Sequence, residues 1–323
     1  MANAVFAGGR ASALQNYLLG EERINRMIDA TSLDDALKVL MEINFGDGFS
    51  ISTPIHFEKL ISIEEEKLYS FIKSTSPSEK LKEFLLLKND YHNAEAFVRA
   101  KHLKIDDDKM LVNDGVYEKD KLKDLIFADD YKGLPKPLRS AIIQCDNLFI
   151  SNKASGVLVS NIFNKAYFEH LYSVSKGDKI LTRLFKNKVD CVNIGVAFRI
   201  RNYSKANSFF IDNGTLSPSD LKKLCENSFD ELKVYFKFSP LFKVVMLAIE
   251  DAEKNKPLLE FEKFTDFYPV SLLDENKYSI SGNLPFMRYV FNKLNDFINI
   301  RIIMIGLING LDKNQIKNRL RII

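Results

Sequence analysis

Apolar residues recur along this chain at helical spacing almost everywhere. In TSLDDALKVLMEI, Leu33, Ala36, Leu37, Leu40 and Met41 fall at i, i+3, i+4, i+7 and i+8, which is one face of a helix. Leu68, Phe71 and Ile72 make the same stripe, as do Ala94, Phe97 and Val98. Strict alternation of apolar and polar residues, the mark of a half-wet strand, is rare. The pattern predicts an all-α chain.

Helix starts are signalled by capping chemistry. SPSEKLKEFLLL places Ser76 as an N-cap, Pro77 at the first helical position and Glu79 where a capping box wants an acid. SPSDLKKL repeats the arrangement with Ser217, Pro218 and Asp220. Each side-chain oxygen is expected to meet a backbone N–H that the first turn leaves unpaired. Turn residues separate the helices at NDG (113–115) and DNG (212–214), where Asn and Gly tolerate left-handed backbone.

One pattern returns three times. DYHNAEAFVRAKHL begins at Asp90, DCVNIGVAFRIRNY at Asp190 and DFINIRIIMIGLIN at Asp296, at intervals of 100 and 106 residues. The similarity extends downstream, where LVNDGVYEKDKLKDL and FIDNGTLSPSDLKKL place Gly115 and Gly214, and Leu122 and Leu221, 99 residues apart. In the third copy Gly310 follows the acid by only 14 residues, which reads as a loss of about ten residues. Upstream of each signature lies a longer helical stretch, from ATSLDDALKVL, PKPLRSAIIQC and DELKVYFKFSP. The expected organisation is three related helical units, 1–125 with an N-terminal extension, 126–225 and 226–323.

The signature has two readings. In one, Asp90, Asp190 and Asp296 cap a helix while Asn93, Asn193 and Asn299 bond back from its first turn, like a capping box with Asn in place of Glu. In the other, the same face lines an interface. The basic residues after each Asn, namely Arg99 and Lys101, Arg199 and Arg201, and Arg301, are then candidate partner contacts, with Arg10 on the first helix. Alternatively they are solvated helix faces with weak ion pairs.

Composition narrows the function classes. The 323 residues are 46% hydrophobic and 28% charged, an ordinary globular balance, and the net charge of +3 is too weak by itself to imply nucleic acid or an anionic membrane surface as a partner. Cys145, Cys191 and Cys225 are unclustered, so no zinc site or disulfide framework is expected and a reducing compartment fits. MANAVFAGGRASAL lacks the plan of a signal peptide. The longest apolar run, INIRIIMIGLI, contains Arg301 and falls short of the ~20 residues of a membrane span.

Catalytic and cofactor motifs are missing. There is no P-loop, and Gly46-Asp-Gly48 finds no third glycine. IDDDKML departs from a calcium loop at Met110 and Leu111, and neither Asp106-Asp107 nor Asp129-Asp130 completes the DDxxD of an all-α prenyl synthase. His56, His92, His102 and His170 are scattered, and no GxSxG occurs. No cofactor, metal or catalytic residue is therefore assigned. Degenerate helical copies suit a scaffold better than an enzyme.

DYHNAEAFVRAK, DCVNIGVAFRIR and NIRIIMIGLINGLDKNQI, with the opening FAGGRASALQNYLLGEERINRMIDATSLDDALKVLMEINFGDGF, resemble the C subunits of the V-type ATPases, the archaeal and vacuolar-like family related to the eukaryotic d subunit. The resemblance spans essentially the whole chain. Departures are Phe6 for an opening Tyr, Asp296 for Glu, and Leu307 where a Lys is common after Gly306. The resemblance implies a non-catalytic, pseudo-threefold helical funnel on the cytoplasmic face of a membrane. Its implied partners are the central shaft and the membrane rotor ring, to which it would couple ATP-linked proton or sodium transport without inserting into the bilayer. The other reading of the residues is a helical-repeat adaptor for soluble partners.

Overall fold

The computed structural model describes residues 4–49, 51, 53–106, 110–254, 257–274 and 283–321. Among the described residues there is no strand, and the fold is all-α. Four helices open the chain: α1 (Ala4–Leu14), α2 (Gly20–Asp29), α3 (Leu33–Met41) and α4 (Glu58–Thr75). Eight follow: α5 (Glu79–Leu103), α6 (Lys119–Phe127), α7 (Lys136–Ile150), α8 (Gly156–Ser175), α9 (Lys179–Ile200), α10 (Tyr203–Ala206), α11 (Pro218–Glu226) and α12 (Phe229–Tyr235). The last four are α13 (Phe242–Glu253), α14 (Leu259–Asp274), α15 (Leu284–Ile308) and α16 (Lys313–Lys317). The chain forms two compact units, one of residues 1–78 with 246–323 and one of residues 79–245.

In the first unit, α1, α2, α3, α4, α14 and α16 pack on α15. Its buried residues include Phe286, Met287, Val290, Phe297, Ile300, Ile303 and Met304. Helix α1 lies against it through the small residues Ala7, Gly8 and Ala11, which permit a close approach of the two backbones. Phe71 of α4 stacks on Phe286 at 5.2 Å and meets Tyr289 edge-on at 5.4 Å. On α3, Ala36, Leu37 and Leu40 are buried as expected, while Met41 is exposed and Val39 is buried instead. The helix ends at Met41 and the chain turns, with the Phe45 N–H bonding back to the Leu40 carbonyl.

That turn explains the Phe-Gly pair of the opening segment. The Gly46 N–H donates to Glu64 at 3.0 Å, and Gly46 has φ +76 with Leu60 packed where a Cβ would go. Glu64 also pairs with Lys293 of α15 at 2.7 Å, and Lys293 lies 4.9 Å from the centroid of the Phe45 ring. Burial alone would raise the Glu64 carboxyl. The charge of Lys293 and hydrogen bonds from Lys293, Lys67 and Gly46 outweigh it and hold the pKa below the ordinary value. Both members of the Glu64–Lys293 pair are buried, so each depends on the other to offset lost hydration.

In the second unit α5 packs on α8, and α8 on α7, around the fully buried Phe97, Phe163 and Phe185. Its capping chemistry is partly as the sequence predicts. Ser217 and Asp220 form a capping box with Pro218 in the first turn, and Ser228 with Glu231 forms a second. The arrangement expected at Ser76 does not form. Helix α4 continues to Thr75, and Ser76 closes it by donating its N–H to the Ile72 carbonyl. Pro77 favours extended backbone at the residue before it, and Ser76 accordingly has ψ 131. Helix α5 then starts at Glu79.

Candidate functional site

The repeated signature lies deep inside helices and not at their starts. Asp90 and Asn93 belong to the middle of α5, Asp190 and Asn193 to α9, and Asp296 and Asn299 to α15. All six are buried. The expectation that they cap helices is therefore corrected. The residues upstream of each acid are already helical, so the nearby N–H groups are bonded along the helix axis and need no side-chain acceptor. Spacing of i, i+3 instead puts acid and amide on one face, from which they reach sideways to a distant loop.

In the first copy, Asp90 accepts from the Val116 N–H at 2.9 Å and the Tyr117 N–H at 3.0 Å. Asn93 accepts from the Val112 N–H at 2.9 Å and donates to the carbonyls of Val112 and Asn113 at 3.3 Å each. In the second, Asp190 accepts from the N–H groups of Thr215 at 2.8 Å and Leu216 at 3.2 Å, and from the Thr215 hydroxyl. Asn193 takes both polar groups of Ile211, N–H and carbonyl, at 2.8 Å each. Each pair thus clamps two places on the loop that follows its own helix.

The glycines of the turns serve this clamp. A Cβ on Gly115 would collide with the Asp90 carboxylate, and one on Gly214 with the Asp190 carboxylate. Neither glycine has positive φ, and within the two turns only Asn213 does, at 69°. Close approach, not left-handed backbone, is what these positions require.

The third copy keeps the amide half of the clamp. Asn299 accepts from the Arg321 N–H at 2.8 Å and donates to its carbonyl at 3.4 Å. That grip spans 22 residues, against 19 and 18 in the first two copies, so the segment is not shortened. Gly310 is not the counterpart of Gly115 and Gly214. It ends α15 with φ +64, and a Cβ there would meet nothing. The acid has changed partner: Asp296 accepts from the Leu19 N–H at 2.9 Å, across 277 residues of sequence. Local spacing in the sequence carries no signal for that contact.

Burial raises the pKa of Asp190, opposed by its hydrogen bonds from Thr215 and Leu216 and by the charge of Lys186. Asp296 is pushed up to about 7 by burial, opposed by the Leu19 N–H and the charge of Lys293.

Most candidate basic residues face inward. Arg99 bonds Glu95 at 2.7 Å, the Gly156 carbonyl at 2.9 Å and the Ser160 hydroxyl at 3.0 Å. Lys101 donates to Asp129 at 2.6 Å and the Ile126 carbonyl at 3.0 Å. Arg201, at φ 47, donates to the carbonyls of Leu224 and Asn227 at the end of α11 and lies 4.9 Å from the Phe229 ring centroid. Arg301 pairs with Glu58 and Glu65 at 3.1 and 2.9 Å. Arg10 is exposed, bonds Thr75 at 2.9 Å and lies over Phe71. Arg199 is exposed.

An open cleft of about 900 Å³ lies between α5, α8 and α9, lined in part by Tyr91, Arg99, Phe163, Tyr167, Lys188 and Phe209. Its walls come from distant segments, so sequence spacing alone misses it. Burial pushes the thiols of Cys145 and Cys191 up to about 12, which keeps them protonated and weakly nucleophilic. Among the described residues no group of three or more His, Cys, Asp or Glu could hold a metal ion, and no helix is long and apolar enough to cross a membrane. Residues 107–109 of the acidic stretch IDDDKML lie outside the described residues.

The family model for the ATP synthase (C/AC39) subunit matches residues 7–319. The chain belongs to this family. It is 22% identical over 321 residues to the V-type sodium ATPase C subunit of Enterococcus hirae, covering 94% of each chain. It is 21% identical to the A-type ATP synthase C subunit of Methanococcoides burtonii, covering 98% of this chain and 94% of the relative. For the A-type ATP synthase C subunit of Methanosarcina acetivorans the identity is 23%, with 99% and 93% covered. The clamps described above are thus features of a C/AC39-family protein.

Two outcomes follow for stability. Gly214→Ala should lower the unfolding free energy by roughly 1–3 kcal/mol in urea titration, because the Asp190 grip must open to admit a methyl group; an unchanged midpoint would contradict the close approach. Asp296 has a folded pKa raised above the ordinary value near 3.8 to about 7. Its contribution is therefore fully present below the unfolded pKa and is lost as pH rises through about 7. Asp296→Asn keeps an acceptor for the Leu19 N–H without the buried charge. Its stability relative to the unsubstituted protein should rise between pH ~4 and ~7 and level off above; a difference independent of pH would contradict the raised pKa.

Proposed function

We propose that this chain is a non-catalytic central-stalk subunit of a V-type ATPase or ATP synthase. In that role it is a socket that passes rotation between the central shaft and the membrane rotor ring during ATP-linked proton or sodium transport. Such a subunit sits peripherally, on the cytoplasmic face of the membrane. The observation that carries this reading is the family match from residue 7 to residue 319, at nearly full length on both sides of the comparisons.

Three related helical units, 1–125, 126–225 and 226–323, arranged as a pseudo-threefold funnel, belong to the same proposal. The recurrence of the Asn clamp at Asn93, Asn193 and Asn299 supports it. A part that transmits torque must not absorb it. Loops whose peptides are bonded to the middle of long helices have little freedom to yield, which supports a mechanical role.

The basic residues enter this proposal unequally. Arg10 and Arg199 are exposed, and in this role they meet acidic groups of the shaft or ring. Arg99, Lys101, Arg201 and Arg301 are half-buried against internal partners that a contact outside the chain would have to share or displace, as it would the Thr75 bond of Arg10.

The experiment is isolation of the tagged protein from gently solubilised membranes of its host, with partners identified by mass spectrometry. Recovery with shaft, ring and nucleotide-binding subunits is expected, and recovery with soluble proteins alone would overturn the reading. In the same assay Arg199→Glu should reduce recovery of shaft or ring subunits with circular dichroism unchanged. Arg201→Glu should lose helicity, because it removes the guanidinium that closes α11. Equal loss of helicity in both variants would remove Arg199 from the contact.

A further inference from the structure

The stretch DELKVYFKFSP, from which the sequence predicts a longer helical stretch, stops being α-helical after Tyr235. Leu232 and Phe236 are buried and anchor the end of α12 and the turn after it. Between and beyond them Val234 is 75% exposed, Tyr235 47% and Phe238 92%. Pro240 is exposed as well. Scattered exposed apolar residues are ordinary, but here they gather at the end of α12 and the turn after it.

The charges around this turn are sorted. Residues 232–249 contain Lys233, Lys237 and Lys243 and no acid. The neighbouring acids are engaged: Asp230 pairs with Lys233 at 3.3 Å, Glu231 closes the capping box at Ser228, and Asp220 accepts from the Tyr235 hydroxyl at 2.7 Å. Lysines lie over the aromatic rings, Lys223 at 3.6 Å from the Tyr235 centroid and Lys237 at 5.5 Å from that of Phe238. The exposed part of the turn is therefore aromatic and cationic.

We propose that this turn makes a shallow contact with an anionic bilayer surface. Phe238 and Val234 enter the headgroup region, and Lys237 and Lys243 meet lipid phosphates. Aromatic rings with a lysine alongside partition to that interface, since the ring is shielded from water while the ammonium stays among the headgroups. The exposed apolar residues span only positions 234–240, whereas a stable protein interface buries about 800 Å² on each partner. A fluid surface accommodates a small patch without a matching pocket. The contact is interfacial and spans nothing, yet it departs from the sequence expectation that the chain does not insert. It goes beyond the coupling role and does not depend on it, because the chain and lipid suffice to test it.

The sequence contains no tryptophan, so Phe238→Trp places a single indole on the full-length chain. Mixed with vesicles of phosphatidylcholine and phosphatidylglycerol, its emission should shift to the blue and be quenched by brominated acyl chains. Both effects should weaken in high salt and with phosphatidylcholine alone. Phe49→Trp, at an exposed ring two residues from Asp47, should show neither effect. Phe238→Ser should bind the anionic vesicles about tenfold more weakly with an unchanged circular dichroism spectrum. Unshifted emission from Phe238→Trp with anionic vesicles would overturn the proposal. So would a shift that appears only on adding purified shaft or ring subunits, which would assign the turn to a protein partner.

Discussion

A carboxylate and a carboxamide buried one turn apart in a long helix need partners that the helix itself does not offer. Leaving such groups unpaired costs roughly 1–3 kcal/mol each, more for the charge. The structure resolves this by bringing loop peptides to Asp90 and Asn93, and to Asp190 and Asn193, so the loops are fixed by the helices they leave. Much else follows from that constraint. Gly115 and Gly214 must be small because the carboxylates occupy the space beside them. The capped start of α11 at Ser217 follows directly on the peptides that Asp190 holds.

The third pair shows how the same constraint is met when the local loop is different. Asn299 holds the chain near its end at Arg321, and Asp296 takes the Leu19 N–H from the opening segment. Burial pushes the pKa of Asp296 up to about 7, against the opposing Leu19 N–H and the charge of Lys293. Nearby, Glu64 joins the Phe45–Gly46 turn to Lys293 of the same long helix. Helix α15 is thus the common support for the first and last parts of the chain within its unit.

Much of this is legible in the sequence. Apolar spacing identified the all-α fold, the box at Ser217 formed as read, and the recurrence of Asp-x-x-Asn marked the residues that matter. What was not legible was direction. Capping and clamping use the same residue types, and only the upstream extension of α5, α9 and α15 separates them. Gly115 looked like a turn glycine because its neighbour in space, Asp90, is distant in sequence. The basic residues looked like a surface because helical periodicity does not reveal that Arg201 closes α11 or that Arg301 pairs with α4. Interactions across tens or hundreds of residues leave no local period to detect.

The most direct measurement is amide hydrogen exchange on the native protein, read at Val116, Thr215, Ile211, Arg321 and Leu19. These N–H groups lie outside regular helices and are bonded to buried side chains. The account predicts protection comparable with the helix interiors, lost at Ile211 in Asn193→Ala while Val116 keeps its protection. Exchange as fast as in the exposed turns would contradict the claim that these clamps hold the structure together.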